Sequence, residues 1–358
     1  MSLLHSLIMR YERHLSAASM VTGFAFDNYY FGRVDHPATQ IVLFLYLVFA
    51  TGSIMALHFI ESHPEPQGKL GKVHPLLVAA TQFALGGLWS AFLIFYGRSA
   101  VITESWPFLI VLGAMLVGNE MFQKYRARLA FTCTLLFFAL FSYAIFVVPV
   151  FTGSMGRQTF LLSGIIALAA FAVVLVALSA IGLERMRGAW RGIALGAAGV
   201  FASLNLFYFA NILPPLPLAL ANAGIFHSVT KDGDIYRGEA EPQTWYGAPG
   251  SAPVLHVGPG EPISFYSAVF APIQLRTNIV HVWRHYDDSA GWKTEATVTF
   301  PITGGRDRGY RGYSMKAAPR AGRWRVDIET SDGLLIGRVP FAVASGSGGA
   351  ANIVQILQ

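Results

Sequence analysis

Six apolar stretches, near 40–60, 75–96, 106–123, 129–150, 159–182 and 192–213, are each long enough to cross the roughly 30 Å hydrocarbon core of a bilayer. In lipid only a helix or a closed barrel satisfies every backbone N–H and C=O, so runs of this length fix the architecture of the first 213 residues before any shorter motif is weighed. The composition agrees, with 54% hydrophobic and only 13% charged residues, outside the range of soluble globular chains. A weaker seventh candidate precedes the six at 16–32, "SAASMVTGFAFDNYYFG"; it is short for a span and carries Asp27.

The distribution of Lys and Arg tests whether that segment crosses, because cytoplasmic loops collect positive charge. If it does, one side holds Arg10, Arg13, Lys69, Lys72, Lys124, Arg126, Arg128, Arg185, Arg187 and Arg191, and the other only Arg33, Arg98 and Arg157. Six spans would divide the same cations 8 against 5, so seven helices with a cytoplasmic N-terminus fit better. The formal charge of +6 has the same origin. Up to residue 230 there are 13 basic against 8 acidic residues, and beyond it 13 against 12, which suits membrane topology better than nucleic acid. The single cysteine, Cys133, permits no intrachain disulfide.

Five regions are expected. Residues 1–15 place Leu4, Leu7, Ile8, Tyr11 and Leu15 at helical spacing among arginines, as in an amphipathic segment on the cytoplasmic surface, and 16–213 form the transmembrane domain. The Pro-containing segment 214–229 reads as an interfacial linker, and 230–345 as an all-β sandwich of immunoglobulin-like or fibronectin-like type. The Gly/Ser-rich end, 346–358, reads as a flexible tail. Strands are expected near 234–238, 254–257, 262–270, 275–286, 295–302, 309–316, 323–330 and 334–343, with a long Pro/Gly-rich loop at 239–253. In 323–330, Trp324, Val326 and Ile328 alternate with Arg323, Arg325, Asp327 and Glu329, giving one buried and one wet face.

The stretch "GGRDRGYRGYSMKAAPRAGRWRVDIE" (304–329) is the most charged part of the β region. Arg306, Arg308, Tyr310, Arg311, Tyr313, Lys316, Arg323 and Arg325 are the candidate binding residues, since arginine forks grip carboxylates and phosphates. The competing expectation is a solvated strand face whose cations pair with the domain's own acids. His281 and His285, four apart on a strand, are about 13 Å from each other and share no metal; with Trp283 they form a strand face expected to pack on the opposing sheet.

Among the apolar helices, Asp27, His58, Glu61, His74, Glu104, Asn119, Glu120, Asn205 and Asn211 are polar, most near helix ends. Asp27 and Glu120 are the intramembrane candidates. His58, Glu61, His63 and His74 flank the first hairpin, but the prolines between them leave any ligand geometry undefined, so neither metal nor cofactor is expected.

The motifs "IVHVWRHYDDSAGWK", "RGYSMK", "AGRWRVDIETSDGLLIG" and "PFAV", with "RYERHLSAASMVTGFAFDNYYFGRVD", "SWPFLIVLGAMLVGNE" and "NILPPLPLALANAGIFHSV", resemble a bacterial membrane-protein family whose C-terminal module is a domain of unknown function. The resemblance implies an Arg followed by an aromatic and Ser, then Gly-x-Trp-x-Val; Arg311, Tyr313, Ser314, Gly322, Trp324 and Val326 occupy those places. Gly312 departs from the pattern, where a β-former is expected. The family brings architecture and no activity. The expected protein is a multi-pass bacterial inner-membrane protein, non-enzymatic, with a periplasmic sandwich that binds an envelope protein, glycan or anionic lipid and no nucleic acid. One alternative makes the bundle a transporter or membrane enzyme with the sandwich as sensor or lid; another makes the chain an accessory subunit of a membrane complex.

Overall fold

The structure is a computed structural model describing residues 22, 24–31, 36–63, 73–121, 128–241, 252–273, 275–306, 309–346 and 353–357, with side chains at all of these but 119–121. It divides into a helical unit, within the chain up to Leu213, and a β-rich unit formed chiefly by Pro214–Gln358. The expected surface segment 1–15 lies outside the described residues, as do 16–21, 23 and 32 of the weak span at 16–32.

The helical unit contains α1 (24–30), α2 (Pro37–Ser62), α3 (His74–Ser99), α4 (Ile102–Met121), α5 (Leu129–Thr152), α6 (Arg157–Ile181) and α7 (Leu183–Phe209). Five of these, α2, α3, α5, α6 and α7, are long and apolar enough to cross a membrane, and α4 holds a shorter apolar stretch, Ile102–Gly118. One boundary needs correction. Residues 183–191, expected as a loop before a span at 192, are the first turns of α7, and only Gly182 separates α6 from α7. Met186 and Ile193, seven apart and both buried, show that the packed face of α7 begins before its hydropathy rises.

Helix α5 is the hub. Phe138 packs on Trp89 of α3 at 5.4 Å, Phe137 on Phe171 of α6 at 4.9 Å, and Phe141 stacks on Phe201 of α7 at 5.7 Å. Small residues bring the backbones together: a Cβ at Gly192 would meet Ala130 at 2.8 Å, and one at Gly87 the Tyr46 ring at 2.7 Å. Several polar side chains of these apolar helices turn back on their own backbones. Thr81, Thr134, Ser163 and Asn205 each bond the carbonyl four residues earlier, at 2.8 to 2.9 Å.

The β-rich unit contains β1 (Ala219–Phe226), β2 (Ser228–Asp232), β3 (Ile235–Ala240), β4 (Val254–Val257), β5 (Ile263–Phe270), β6 (Arg276–Asp287), β7 (Gly291–Thr303), β8 (Tyr310–Lys316), β9 (Gly322–Thr330), β10 (Leu335–Ser345) and β11 (Ile353–Leu357). They form three sheets, in the orders β1-β5-β8, β4-β10-β9-β6-β7 and β11-β3-β2. All described pairings are antiparallel except β4 with β10.

Strand β5 explains the layering. Ile263, Phe265 and Val269 join Trp283, Trp324, Val326, Ile328 and Phe341 in the main core, against the five-stranded sheet. On its other face Tyr266 and Ala268 join Phe226, Val229, Tyr236 and Leu357, against the β11-β3-β2 sheet. A strand covered on both faces is apolar at nearly every position, as "ISFYSAVF" is. Each large side chain so buried contributes about 1.5–3 kcal/mol.

Two expected regions are thereby corrected. The linker at 214–229 contains β1, whose residues pair with β5 from Ala219↔Phe270 to Phe226↔Ser264, and β2. The tail at 346–358 contains β11, paired with β3 from Ile353↔Ala240 to Leu357↔Tyr236. Both are short apolar segments whose partners lie far along the chain. The expected 239–253 loop begins only after β3 ends at Ala240, and 242–251 lie outside the described residues.

Candidate functional site

The basic stretch is divided between two sheets, β8 in one and β9 in another. On β9 the cations are committed to partners. Arg323 lies 3.7 Å from the centre of the Tyr286 ring, and Arg325 lies 4.5 Å from that of Trp292. Arg325 also approaches Asp327, at 3.4 Å. Lys316, at the end of β8, and Arg320 both reach Glu295, at 3.9 and 3.0 Å. Glu295 is available because the β6–β7 register passes from Trp283↔Ala296 to Arg284↔Thr294, so Glu295 is the extra residue of a β-bulge.

The face of β9 expected to be wet is exposed at Arg323 and partly covered at Arg325 and Glu329, but closed at Asp327. Asp327 is 1% exposed, and Arg338 holds it with Nε donating at 2.6 Å and Nη2 at 3.3 Å. Arg284 of β6 closes on it at 3.3 Å and also donates to Glu329 at 3.0 Å. Three arginines from three adjacent strands thus cover one buried carboxylate, whose desolvation their charges offset. Burial raises the pKa of Glu329, against the lowering effect of Arg284.

Arg311, on β8, is placed differently. Its guanidinium lies 5.5 Å from the centre of the Tyr236 ring, and Tyr236 donates its hydroxyl to the Arg311 carbonyl at 3.3 Å. Lys231, cross-strand partner of Tyr236, stands 5.6 Å from the same ring. Tyr313, two residues beyond Arg311 and so on the same face of β8, meets Tyr236 edge-on at 6.3 Å and is 38% exposed; Met315 follows, also exposed. Neither Lys231 nor Arg311 pairs with a carboxylate among the described residues, and Arg311 Nε is buried without a hydrogen-bond partner among them. Tyr236 is itself buried, so it positions the two cations and does not face a ligand. Arg306 lies 5.2 Å from the Tyr310 ring; Arg308 lies outside the described residues.

Gly312 has a steric reason. A Cβ there would meet the Phe300 ring at 2.5 Å, so the β-former expected at this position would have to displace that ring. Lys231 and Tyr236 were not candidates in the sequence, since each lies some 75 residues from Arg311 and outside the basic stretch.

The conspicuous histidines serve the core. His281 is fully buried between the sheets, with Nε2 2.8 Å from Ser267 Oγ and Nδ1 2.9 Å from Ser314 Oγ, while Trp283 donates to the same Ser314 oxygen at 3.0 Å. Burial pushes the His281 pKa down to about 3, so the ring is neutral. Ser267 and Ser314 are buried with it. His285 packs on Trp324 at 4.7 Å and donates from Nε2 to the Ala321 carbonyl at 3.3 Å, apart from His281. Elsewhere Glu241 accepts from His227 at 3.0 Å and from His256 at 2.9 Å; burial raises its pKa, but these hydrogen bonds outweigh it and the net shift is downward. No group of His, Cys, Asp or Glu among the described residues could hold a metal ion. Asp27 lies on α1, partly buried, and Glu120 lies near the end of α4 with its side chain outside the described residues.

Residues 276–343, from β6 into β10, match the family model described as "Protein of unknown function (DUF2914)". No curated protein matches the chain. Among solved structures, a Pseudomonas fluorescens alkylpurine DNA glycosylase, AlkC, bound to DNA containing an abasic site analog, aligns with 84% of this chain and 99% of its own at 10% identity and a TM-score of 0.22. Similarity at that level carries no argument about fold or function.

Proposed function

We propose that the chain is a non-enzymatic integral protein of the bacterial inner membrane, with a cytoplasmic N-terminus and a periplasmic, immunoglobulin-like β-unit that binds an anionic group of an envelope glycan, lipid or protein. The observation that carries this reading is the pair Lys231 and Arg311, both set against the buried ring of Tyr236 without a carboxylate partner among the described residues. A guanidinium held over a ring has lost part of its rotamer freedom before a ligand arrives, which lowers the entropic cost of gripping a carboxylate or phosphate. Exposed Tyr313 and Met315 beside it supply apolar contact for the body of the ligand. Of the expected patch, Arg311 and Tyr313 remain in this surface with Lys231 added, Arg306 and Tyr310 are its neighbours in sequence, and Lys316, Arg323 and Arg325 support the fold.

The test is a titration of the detergent-solubilised full-length protein with a uronic-acid oligosaccharide and with short-chain phosphatidylglycerol, for wild type and for Lys231→Glu/Arg311→Glu. Saturable binding of either probe, weakened at least tenfold in the variant, is expected. Equal affinity in both proteins refutes the surface, and Arg323→Glu is the control that should leave affinity unchanged.

A further inference from the structure

Strand β11 has one side unpaired. It pairs with β3, and its other edge has no partner strand among the described residues, because the sheet runs β11-β3-β2. Such an edge offers a row of free N–H and C=O groups to any strand that comes alongside, and proteins blunt it with charges, prolines or bulges. The opposite edge of this sheet follows that rule, since β2 carries Lys231 and Asp232. β11 does not. Its sequence, "IVQIL", holds no charge and no proline, and its five pairs with β3 run without a shift of register. Ile353, Val354 and Ile356 are exposed, at 48%, 58% and 62%.

The occupant of that edge follows from the order of its residues. In "NIVQILQ" (352–358) the side chains read amide, aliphatic, aliphatic, Gln355, aliphatic, aliphatic, amide, the same in both directions. In an antiparallel pair each residue stands directly opposite one residue of the neighbouring strand, with both side chains on one face. A second copy related by a two-fold axis through Gln355 therefore sets Val354 against Ile356 of that copy, Ile353 against Leu357, and Gln355 against Gln355. Every contact across the axis is then aliphatic with aliphatic or amide with amide, and no charge is stranded. β11 has no charge with which to select a strand of different sequence, whereas its own sequence is complementary to itself. The contact is isologous, so it closes after two copies and does not propagate into a fibre.

We infer that the chain forms a two-fold dimer in which β11 of each copy pairs antiparallel with β11 of the other about Gln355, joining two β11-β3-β2 sheets edge to edge. The inference is independent of the Lys231–Arg311 surface.

The test uses the full-length protein in mild detergent, with cysteines introduced in a Cys133→Ala background, Cys133 being the single native thiol. Across the axis the two Cα atoms of residue 355 stand about 4.5–5.5 Å apart, within reach of a disulfide, whereas those of residue 354 are offset along the strands to about 8 Å, out of reach. Under mild oxidation Gln355→Cys is expected to give at least tenfold more linked dimer than Val354→Cys. By light scattering, the wild type should have the mass of two chains. Val354→Lys/Ile356→Lys, which sets Lys against Lys across the axis, should have the mass of one, and Val354→Glu/Ile356→Lys, which sets Glu against Lys, should remain a dimer. Both positions are exposed in the single copy, so these charges leave the β-unit folded. A monomeric wild type overturns the proposal. So does a dimer that is not linked by Gln355→Cys, that is linked equally by Val354→Cys, or that survives Val354→Lys/Ile356→Lys.

Discussion

The hydroxyl of Ser314 on β8 lies 2.9 Å from Nδ1 of His281 on β6, and the two residues join different sheets across the main core. Ser314 also accepts the indole N–H of Trp283 at 3.0 Å. Its replacement by Ala therefore strands two buried polar groups at once. Ser314→Ala is expected to destabilise the β-unit by about 2–4 kcal/mol, since each orphaned group costs about 1–3 kcal/mol and the two overlap. Urea unfolding followed by tryptophan fluorescence measures it; a change below about 0.5 kcal/mol would show that the network is dispensable.

His281 also makes stability depend on pH. Its folded pKa is held near 3 by burial, below the ordinary value of about 6.5 for an unfolded histidine. Between those values the unfolded chain binds a proton that the folded chain refuses. The stabilisation is thus complete above about pH 6.5 and lost as pH falls, at about 1.4 kcal/mol per pH unit, until about pH 3. His281→Gln should be less stable at neutral pH and lack this share of the acid slope. Parallel slopes for the two proteins between pH 6 and 4 would contradict it.

Asp327→Asn should be among the most damaging single-atom changes in the β-unit. It keeps the shape and removes the charge that Arg284, Arg325 and Arg338 enclose. Breaking a buried pair costs about 3–5 kcal/mol, because the cations remain without compensation. Glu295→Gln offers the contrast: this carboxylate is 20% exposed against 1% for Asp327, its partner Arg320 is largely in solvent, and a loss of about 0.2–1 kcal/mol is expected. Thermal unfolding of both variants compares them directly.

Gly312→Val tests a packing claim by a pair of substitutions. A side chain there collides with the Phe300 ring, and overpacking costs about 1–3 kcal/mol. Phe300→Ala makes room, so the double variant should lose less than the sum of the singles, with a coupling of about 1 kcal/mol or more. Additive losses would mean that the ring is not the obstacle.

Much of this fold was legible in local pattern. Trp324, Val326 and Ile328 alternate as a strand should and all three are buried, and the long apolar runs are helices within a few residues of their expected limits except at the start of α7, which lies nine residues earlier. What escaped was non-local. Segment 219–226 looks like a linker until β5 stands beside it, and Ile353–Leu357 looks like a loose end until β3 does. The binding surface shows the same limit. A count of basic residues treats Arg311, Arg323 and Arg325 alike, whereas Tyr286, Trp292 and Asp327 engage the last two, and Lys231 joins the first from another sheet. Asp327 alternates like a solvent-facing residue, yet the arginines of its neighbouring strands bury it.

The functional reading rests on the side of the membrane that the β-unit occupies, because that side decides which anions Lys231 and Arg311 can meet. A compartment-sensitive reporter fused after Gln358, and a second inserted at residue 68 between α2 and α3 beside Lys69 and Lys72, reads it directly. The account predicts a periplasmic signal from the C-terminal fusion and a cytoplasmic one from position 68. A cytoplasmic signal after Gln358 would contradict it, placing the β-unit where no envelope ligand can reach.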